Sequence, residues 1–444
     1  MVPEQREALD EIIVKIRSGR VSRRTFLERA MAIGLTSGVA GSLLEACGGG
    51  GSSSSGGPTT VVWQTENDTS GTYSELVDNY NKSNKDNVHV VWHNGPSDTS
   101  TLITLYDNTL RARSASFDVL NIDVVWPAQF VSNGWTVDLT SKWSASDRAN
   151  YLPGPVESCT YNGQVVAAPL RTDLGILYYR TDLVSTPPKT FDDLTNTAKS
   201  NLSKTKIGYA WQGIQGEALV CDFVEVLAGY GGAVLDPNNS KKVTINSPEA
   251  VQALTEMVSW VGSISPVAIT TYAEEACRQA FQNGDAALMR NWPYAYSLGN
   301  GSDSKVAGKF DITSIPYGGS NTVGHSCVGG WNMAINAYSK NPDASWSFIK
   351  YMLGTDAQKL LATKGSFTPS LNSVYNDSEV QTKQPLFTKL QPILQHSKPR
   401  PVSPVYLDLS NIIQTHVHQA LTKQASPADA LSALQSELQT LVSK

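Results

Sequence analysis

The chain has 444 residues, 40% of them hydrophobic, 17% charged and 8% aromatic, with a formal net charge of −5. That length carries two or three domains with sizeable cores. An acidic balance excludes nucleic-acid binding through a basic face.

Ser22-Arg23-Arg24-Thr25-Phe26-Leu27 precedes an uncharged run over residues 30–44. A spanning helix needs roughly 20 apolar residues, so this shorter run reads as the hydrophobic region of a signal peptide. The paired arginines resemble a twin-arginine export signal, against the simpler reading of an ordinary positive leader. Leu44-Glu45-Ala46-Cys47 resembles a lipobox, in which Cys47 is linked to diacylglycerol and becomes the new N-terminus; Glu45 stands where a small residue is usual. The glycines and serines that follow form a flexible tether. Residues 1–46 are therefore expected to be a twin-arginine-type lipoprotein signal and residues 47–58 a tether. The mature chain would be lipid-anchored on the extracytoplasmic face of the membrane.

From residue 58 onward, short apolar runs alternate with helical spacing. Val61-Val62-Trp63 predicts a strand, and Tyr73, Leu76, Val77 and Tyr80 recur as one helical face. Further strands are expected at 88–92, 117–125, 163–168, 175–180, 207–211, 286–290, 310–316 and 328–336. Helices are expected at 191–203, 215–228, 248–261 and 273–283. Such alternation predicts an α/β chain with mostly parallel sheets. Past Pro342 the pattern is almost wholly helical. Ser426-Pro427 supplies an N-cap and a first-turn proline to a helix whose Leu431, Leu434, Leu438 and Leu441 form an apolar stripe.

Motifs that carry chemistry are missing: there is no G-x-S-x-G elbow, Walker A loop, G-x-G-x-x-G or H-E-x-x-H. His89 and His93 share a face of a strand-like run, a weak metal signal, and His416 and His418 diverge on a helix. The residues lean towards a binder rather than an enzyme, with no metal and no cofactor.

Several stretches, in order, resemble the extracellular solute-binding proteins of bacterial ABC importers, in the family that takes up oligosaccharides. They are FDVLNIDVVWPAQFVSNGWTVDLT (117–140), APLRTD running into GILYYR (168–180), AALMRNWPYAY (286–296), FDITSIPYG (310–318), GGWNMAINAYSKNPDASWSFIKYML (329–353), RPVSPVYLDLSNIIQ (400–414) and the terminal SPADALSALQSEL. The likeness runs from about residue 59 to 444. It implies an α/β, two-lobed periplasmic-binding-protein-like (type II) fold, with ligand held in the interlobe cleft. One lobe would be residues 59–169 plus 316–368, the other 170–315 plus 369–444. It also implies hinge closure about the ligand and delivery of a sugar to the transmembrane subunits of an ABC permease. The RPVSPVY segment and the IDVVW aspartate point to a disaccharide such as trehalose or maltose. The protein would be a monomer and no enzyme.

A sugar offers hydroxyls, which suit charged and amide side chains, and ring faces that lie flat on aromatic rings. On that logic the resemblance puts Asp123, Asp173, Glu217, Arg400, Glu66 and Asn67 at the ligand's hydroxyls. Trp292 and Trp331 are the stacking candidates, with Gly330 letting backbone approach. Each has a plainer alternative. Asp123 could cap the helix beyond it, Asp173 could serve a turn, and Glu217 could complement a helix dipole. Arg400 could form a structural salt bridge, with Asp123 as its partner. Either tryptophan could be core. Trp126 and Tyr178 read equally as core, and Trp260 and Trp346 are assigned to helix packing.

Four cysteines remain beyond Cys47. The implied lobes place Cys159 with Cys327 and Cys221 with Cys277, and a cross-lobe bond would tether a hinge that must open. Two intra-lobe disulfides are therefore expected, the alternative being buried free thiols.

Overall fold

The computed structural model describes residues 57–236 and 239–443. The expected leader, Cys47 and most of the tether lie outside them. Ten strands build two main sheets. The larger contains β1 (Thr59–Gln64), β2 (Val88–His93), β3 (Val119–Asp123), β4 (Ala168–Leu174), β9 (Val328–Ile335) and β10 (Thr368–Pro369), in the order β10-β4-β9-β3-β1-β2. The smaller contains β5 (Ile176–Arg180), β6 (Ile207–Ala210), β7 (Ala286–Asn291) and β8 (Phe310–Thr313), in the order β8-β5-β7-β6. Each sheet supports one lobe of a two-lobed α/β fold of the periplasmic-binding-protein type.

Only β1 with β2, β1 with β3, and β6 with β7 pair in parallel. β9 runs antiparallel to β3 and β4, β10 to β4, and β5 to both β7 and β8. The sheets are thus mixed, and the expectation of mostly parallel pairing is corrected. Helical crossovers impose parallel pairing only within the βαβ stretches. Strands that carry the chain between sheets need no crossover and return antiparallel.

β4 passes into β5 through Gly175 alone, so the expected boundary after residue 169 falls inside a strand and the passage lies further on. The return path runs between β8 and β9. The two paths are tied together, because the Gly175 N–H donates to the Cys327 carbonyl at 3.1 Å. A Cβ at Gly175 would lie 1.8 Å from Glu225 Oε1 and 2.4 Å from Arg290 Nη2. Only glycine lets this strand pass so close to that buried ion pair.

Alternation along β1 buries Val61 and Trp63, and helix α1 (Thr72–Ser83) meets them with Tyr73, Leu76, Val77 and Tyr80. Trp63 packs against Tyr73 and Phe348 at centroid distances of 4.9 and 5.2 Å. Helix α2 (Thr99–Arg111) is among the elements the sequence reading leaves out, and it buries Leu102, Ile103, Tyr106 and Leu110. In the second lobe, α3 (Phe191–Asn201), α4 (Glu217–Gly229), α5 (Pro248–Trp260) and α6 (Glu274–Gln282) match the expected helices to within a few residues. The C-terminal pair α7 (Tyr406–Leu421) and α8 (Pro427–Val442) packs on α4 and α5. Leu431, Leu434 and Leu438 of the predicted stripe are fully buried, and each such side chain contributes about 1.5–3 kcal/mol. Trp126, Tyr178, Trp260 and Trp346 are all buried.

Cys159, Cys221, Cys277 and Cys327 are buried free thiols, so neither expected disulfide is present. Instead, the hydrogen bond to Cys327 and then burial raise the Cys221 thiol well above its ordinary pKa. Cys221 and Glu225 lie one turn apart on α4, and the Cys327 N–H donates to Glu225 Oε1 at 3.0 Å. Cys327 therefore sits against the second lobe's helix, although it leads into a strand of the larger sheet. The passage between sheets, not lobe membership, decides which thiols meet.

Candidate ligand cleft

A cavity of about 100 Å³ lies between the two lobes, and all nine residues nominated for ligand contact line it. Asp123 comes from the end of β3, Asp173 from β4, and Gly330 with Trp331 from β9. Glu217 opens α4, Trp292 follows β7, Glu66 and Asn67 follow β1, and Arg400 precedes α7. The site collects at strand ends and helix starts, where α/β sheets leave a crevice.

Arg400 is the hub. Its Nη2 lies 2.6 Å from Asp123 Oδ1, and its Nη1 lies 2.6 Å from Glu217 Oε1. Burial pulls its pKa down, but Asp123 and the other groups around it outweigh that and hold the guanidinium charged. Glu217 also accepts hydrogen bonds from the Tyr406 and Ser410 hydroxyls. Its backbone N–H donates to Ser100 Oγ at 3.2 Å. Burial nevertheless raises its pKa, the largest effect, against the opposing pull of Arg400. The salt bridge offered as the alternative for Arg400 thus exists, and it forms part of the cavity wall. Trp126, not Asp123, is the N-cap of the short helix Pro127–Ser132, although Asp123 Oδ1 does accept the Val125 N–H at 3.2 Å.

Glu66 anchors a second network. It accepts from Tyr73 OH at 2.7 Å, Asn121 Nδ2 at 2.9 Å and Arg171 Nη2 at 3.1 Å. Arg171 lies 4.4 Å from the Phe367 ring centre and also bonds Asp173. Asp173 sits in a strand rather than a turn. It is 4% exposed, and its Oδ1 has no hydrogen-bond partner. Arg400 Nε is likewise unpartnered. Two buried polar atoms on one cavity, one acceptor and one donor, each carry a desolvation cost that a polar ligand would relieve.

Trp292 is partly buried, and the Arg290 guanidinium lies 4.0 Å from its ring centre. Arg290 in turn is held by Glu225 Oε1 at 2.6 Å and Asp222 Oδ1 at 2.8 Å. A cation beneath one ring face fixes the indole's orientation. Trp331 pairs with Asp123 in the β9–β3 register and meets Trp126 edge-on at 5.7 Å, so it is both packed and lining. Gly330 has φ +131°, and a Cβ there would lie 2.5 Å from the Arg171 carbonyl oxygen. Its conformation belongs to glycine, and β9 slips register against β4 just after it.

Arg171, Asp68, Glu274, Glu275, Tyr294 and Phe367 also line the cavity, beyond the expected set. Arg171 stands two residues before Asp173, a spacing that puts both on one face of a strand. That signal could have found it. Glu274 and Glu275 read as ordinary first-turn acids on α6. Seven carboxylates and two guanidiniums face the cavity, a wall rich in acceptors that suits a donor-rich neutral ligand and opposes an anion such as phosphate. Among the described residues, no group of three His, Cys, Asp or Glu side chains could hold a metal ion. No described helix is long and apolar enough to cross a membrane.

The model of the bacterial extracellular solute-binding protein family matches residues 64–359. A Deinococcus radiodurans protein named as a probable ABC transporter-binding protein is 36% identical over 358 residues, covering 77% of this chain and 84% of that one. Maltose-bound MalE3 of T. maritima superposes with a TM-score of 0.82 at 34% identity, covering 86% of this chain and all of that one. An ABC transporter solute-binding protein of Agrobacterium radiobacter K84, solved with ribitol, gives a TM-score of 0.78 at 26% identity, over 87% and 99% of the two chains. The chain belongs to the bacterial extracellular solute-binding proteins.

Proposed function

We propose that this protein captures a neutral saccharide outside the cytoplasm and delivers it, chemically unchanged, to the permease of an ABC importer. The observation that carries the reading is the composition of the cleft. Buried carboxylates and guanidiniums from both lobes converge with Trp292 and Trp331 on one cavity, and Asp173 Oδ1 and Arg400 Nε lack partners there. Hydroxyl groups can satisfy both kinds of atom, and an indole face takes the C–H surface of a sugar ring. The bound ligands of the two solved relatives, a sugar and a sugar alcohol, support the same class.

Within that class, a disaccharide such as trehalose or maltose is the proposed ligand. Ligand contact with both lobes stabilises the closed arrangement, because those contacts exist only there. Cys47 is the proposed lipid attachment point and the paired arginines the export signal, which would hold a monomeric receptor beside its permease. Titration calorimetry of the chain from Pro58 onward against trehalose, maltose, sucrose and maltotriose tests the reading. Binding of at least one, with the sugar recovered intact after long incubation, is expected. Failure with every sugar, or cleavage of one, defeats it.

A further inference from the structure

Glu225 on α4 and Arg290 on β7 are buried, and neither lines the cavity. They meet as a fork: Arg290 Nε donates to Glu225 Oε2 at 2.9 Å and Nη2 to Oε1 at 2.6 Å. The remaining guanidinium nitrogen, Nη1, donates to Gln212 Oε1 at 3.1 Å. Burial lowers the Arg290 pKa, but Glu225 and Asp222 outweigh that and keep the group charged. So rigid a pairing fixes the plane of the guanidinium, which a lysine ammonium could not reproduce.

Two contacts lead from this pair to Trp292, which does line the cavity. The Arg290 guanidinium lies 4.0 Å from the indole ring centre. Glu225 Oε1 also accepts the Cys327 N–H at 3.0 Å, and two residues further on Gly329 presses on the same indole. A Cβ at Gly329 would lie 2.9 Å from the six-membered ring of Trp292, so strand β9 approaches the ring as closely as backbone can. One carboxylate thus holds both the cation on the ring and the strand at its edge. These three supports come from α4, β7 and β9, and β9 belongs to the other sheet.

We infer that Glu225 and Arg290 are positioning residues for ligand binding, which set the Trp292 indole relative to β9 without touching the ligand themselves. The inference rests on the saccharide reading for the use of that ring and adds what orients it. Glu225 ties the strand that enters the larger sheet to the guanidinium beside the ring. The stacking surface and the passage between the sheets therefore keep one fixed relation.

The test compares the parent with Glu225→Gln, which keeps the shape and leaves Asp222 to compensate Arg290, and with Arg290→Lys, which keeps the charge but loses the fork. Each is also made in the Trp292→Ala and Asp123→Ala backgrounds. Without ligand, the near-ultraviolet circular dichroism lost on Trp292→Ala isolates the signal of that one indole in its fixed surroundings. This difference signal should fall by at least half in both variants, and an unchanged signal overturns the inference. Calorimetry then uses whichever of trehalose, maltose, sucrose and maltotriose binds the parent most tightly. Each variant should weaken binding at least fivefold. The loss should shrink to within about twofold once Trp292 is alanine and persist in full in the Asp123→Ala background. A loss of equal size in both backgrounds is a general structural effect and overturns the positioning role, as does parental affinity in both variants. A parent that binds none of the four sugars defeats the saccharide reading instead, and the ligand-free signal then decides the positioning by itself.

Discussion

Arg400 Nη2 stands 2.6 Å from Asp123 Oδ1, joining the end of the central strand β3 to the proline-rich segment before α7. The same guanidinium reaches Glu217 at the start of α4, so one cation connects three elements around the cavity. A buried charge of this kind is tolerated because two carboxylates and good geometry compensate its desolvation.

Asp123→Ala is expected to weaken sugar binding at least tenfold, about 1.4 kcal/mol. Arg400 keeps Glu217 as a partner, so the chain should remain folded. Calorimetry and a thermal melt measured together separate the two effects. Parental affinity would remove Asp123 from the site.

Trp292→Ala should also weaken binding at least tenfold, about 1.4 kcal/mol, through loss of the ring face rather than loss of structure. Arg290, which underlies the indole, stays paired with Glu225 and Asp222, so the melting temperature should change little. Trp292→Phe should recover part of the affinity, because a flat face remains. An alanine variant that binds as well as the parent would place the stacking surface elsewhere.

Much of this site is legible in the sequence, because ligand-facing residues in an α/β fold cluster at strand ends and helix starts, which short motifs mark. All nine nominated residues line one cavity. Arg171 lies outside that set, although its two-residue spacing from Asp173 places both on one face of the strand. Glu274 and Glu275 could not be told from dipole-complementing acids, since only tertiary packing turns them towards the cleft. The thiols failed for a different reason. Cys221 and Cys327 meet where the chain passes between sheets, and that passage has no local pattern. The mixed strand directions were hidden likewise, because strands with the same composition pair either way.

Glu217 sets a pH dependence. Its folded-state pKa is raised by burial, so the native protein holds this proton more tightly than the unfolded chain. The associated stability is complete below the unfolded value of about 4.5 and is lost as pH rises through the folded pKa. Glu217→Gln removes the titration. Relative to the parent, the variant should gain stability as pH climbs from 4 to 7, while any difference at pH 4 reflects the lost hydrogen bonds alone. Urea melts at both values decide it, and a variant that loses stability relative to the parent as pH rises contradicts the assignment.

The four thiols make a chemical prediction. In the chain from Pro58 onward, a thiol reagent should label none rapidly in the native state and all of Cys159, Cys221, Cys277 and Cys327 after denaturation, since each is a buried free cysteine. Under mild oxidation, non-reducing peptide mapping should find a 221–327 linkage first, as those two thiols are hydrogen-bonded. A 159–327 or 221–277 linkage would restore the pairing expected from lobe membership.

Gly330→Ala should be the most damaging small change in the cleft. The backbone there holds φ +131°, and the added Cβ would lie 2.5 Å from the Arg171 carbonyl oxygen and 2.9 Å from Thr172 Cα. Both contacts are backbone, so no side chain can swing aside, and β9 must shift against β4. Non-glycine residues in such regions cost of order 1–3 kcal/mol before any clash is counted. Because Trp331 is the next residue and pairs with Asp123, the shift should also weaken binding. A lowered melting temperature together with reduced affinity is expected. If stability falls but sugar affinity is unchanged, β9 does not transmit the strain to Trp331, and that tryptophan is packing rather than contact.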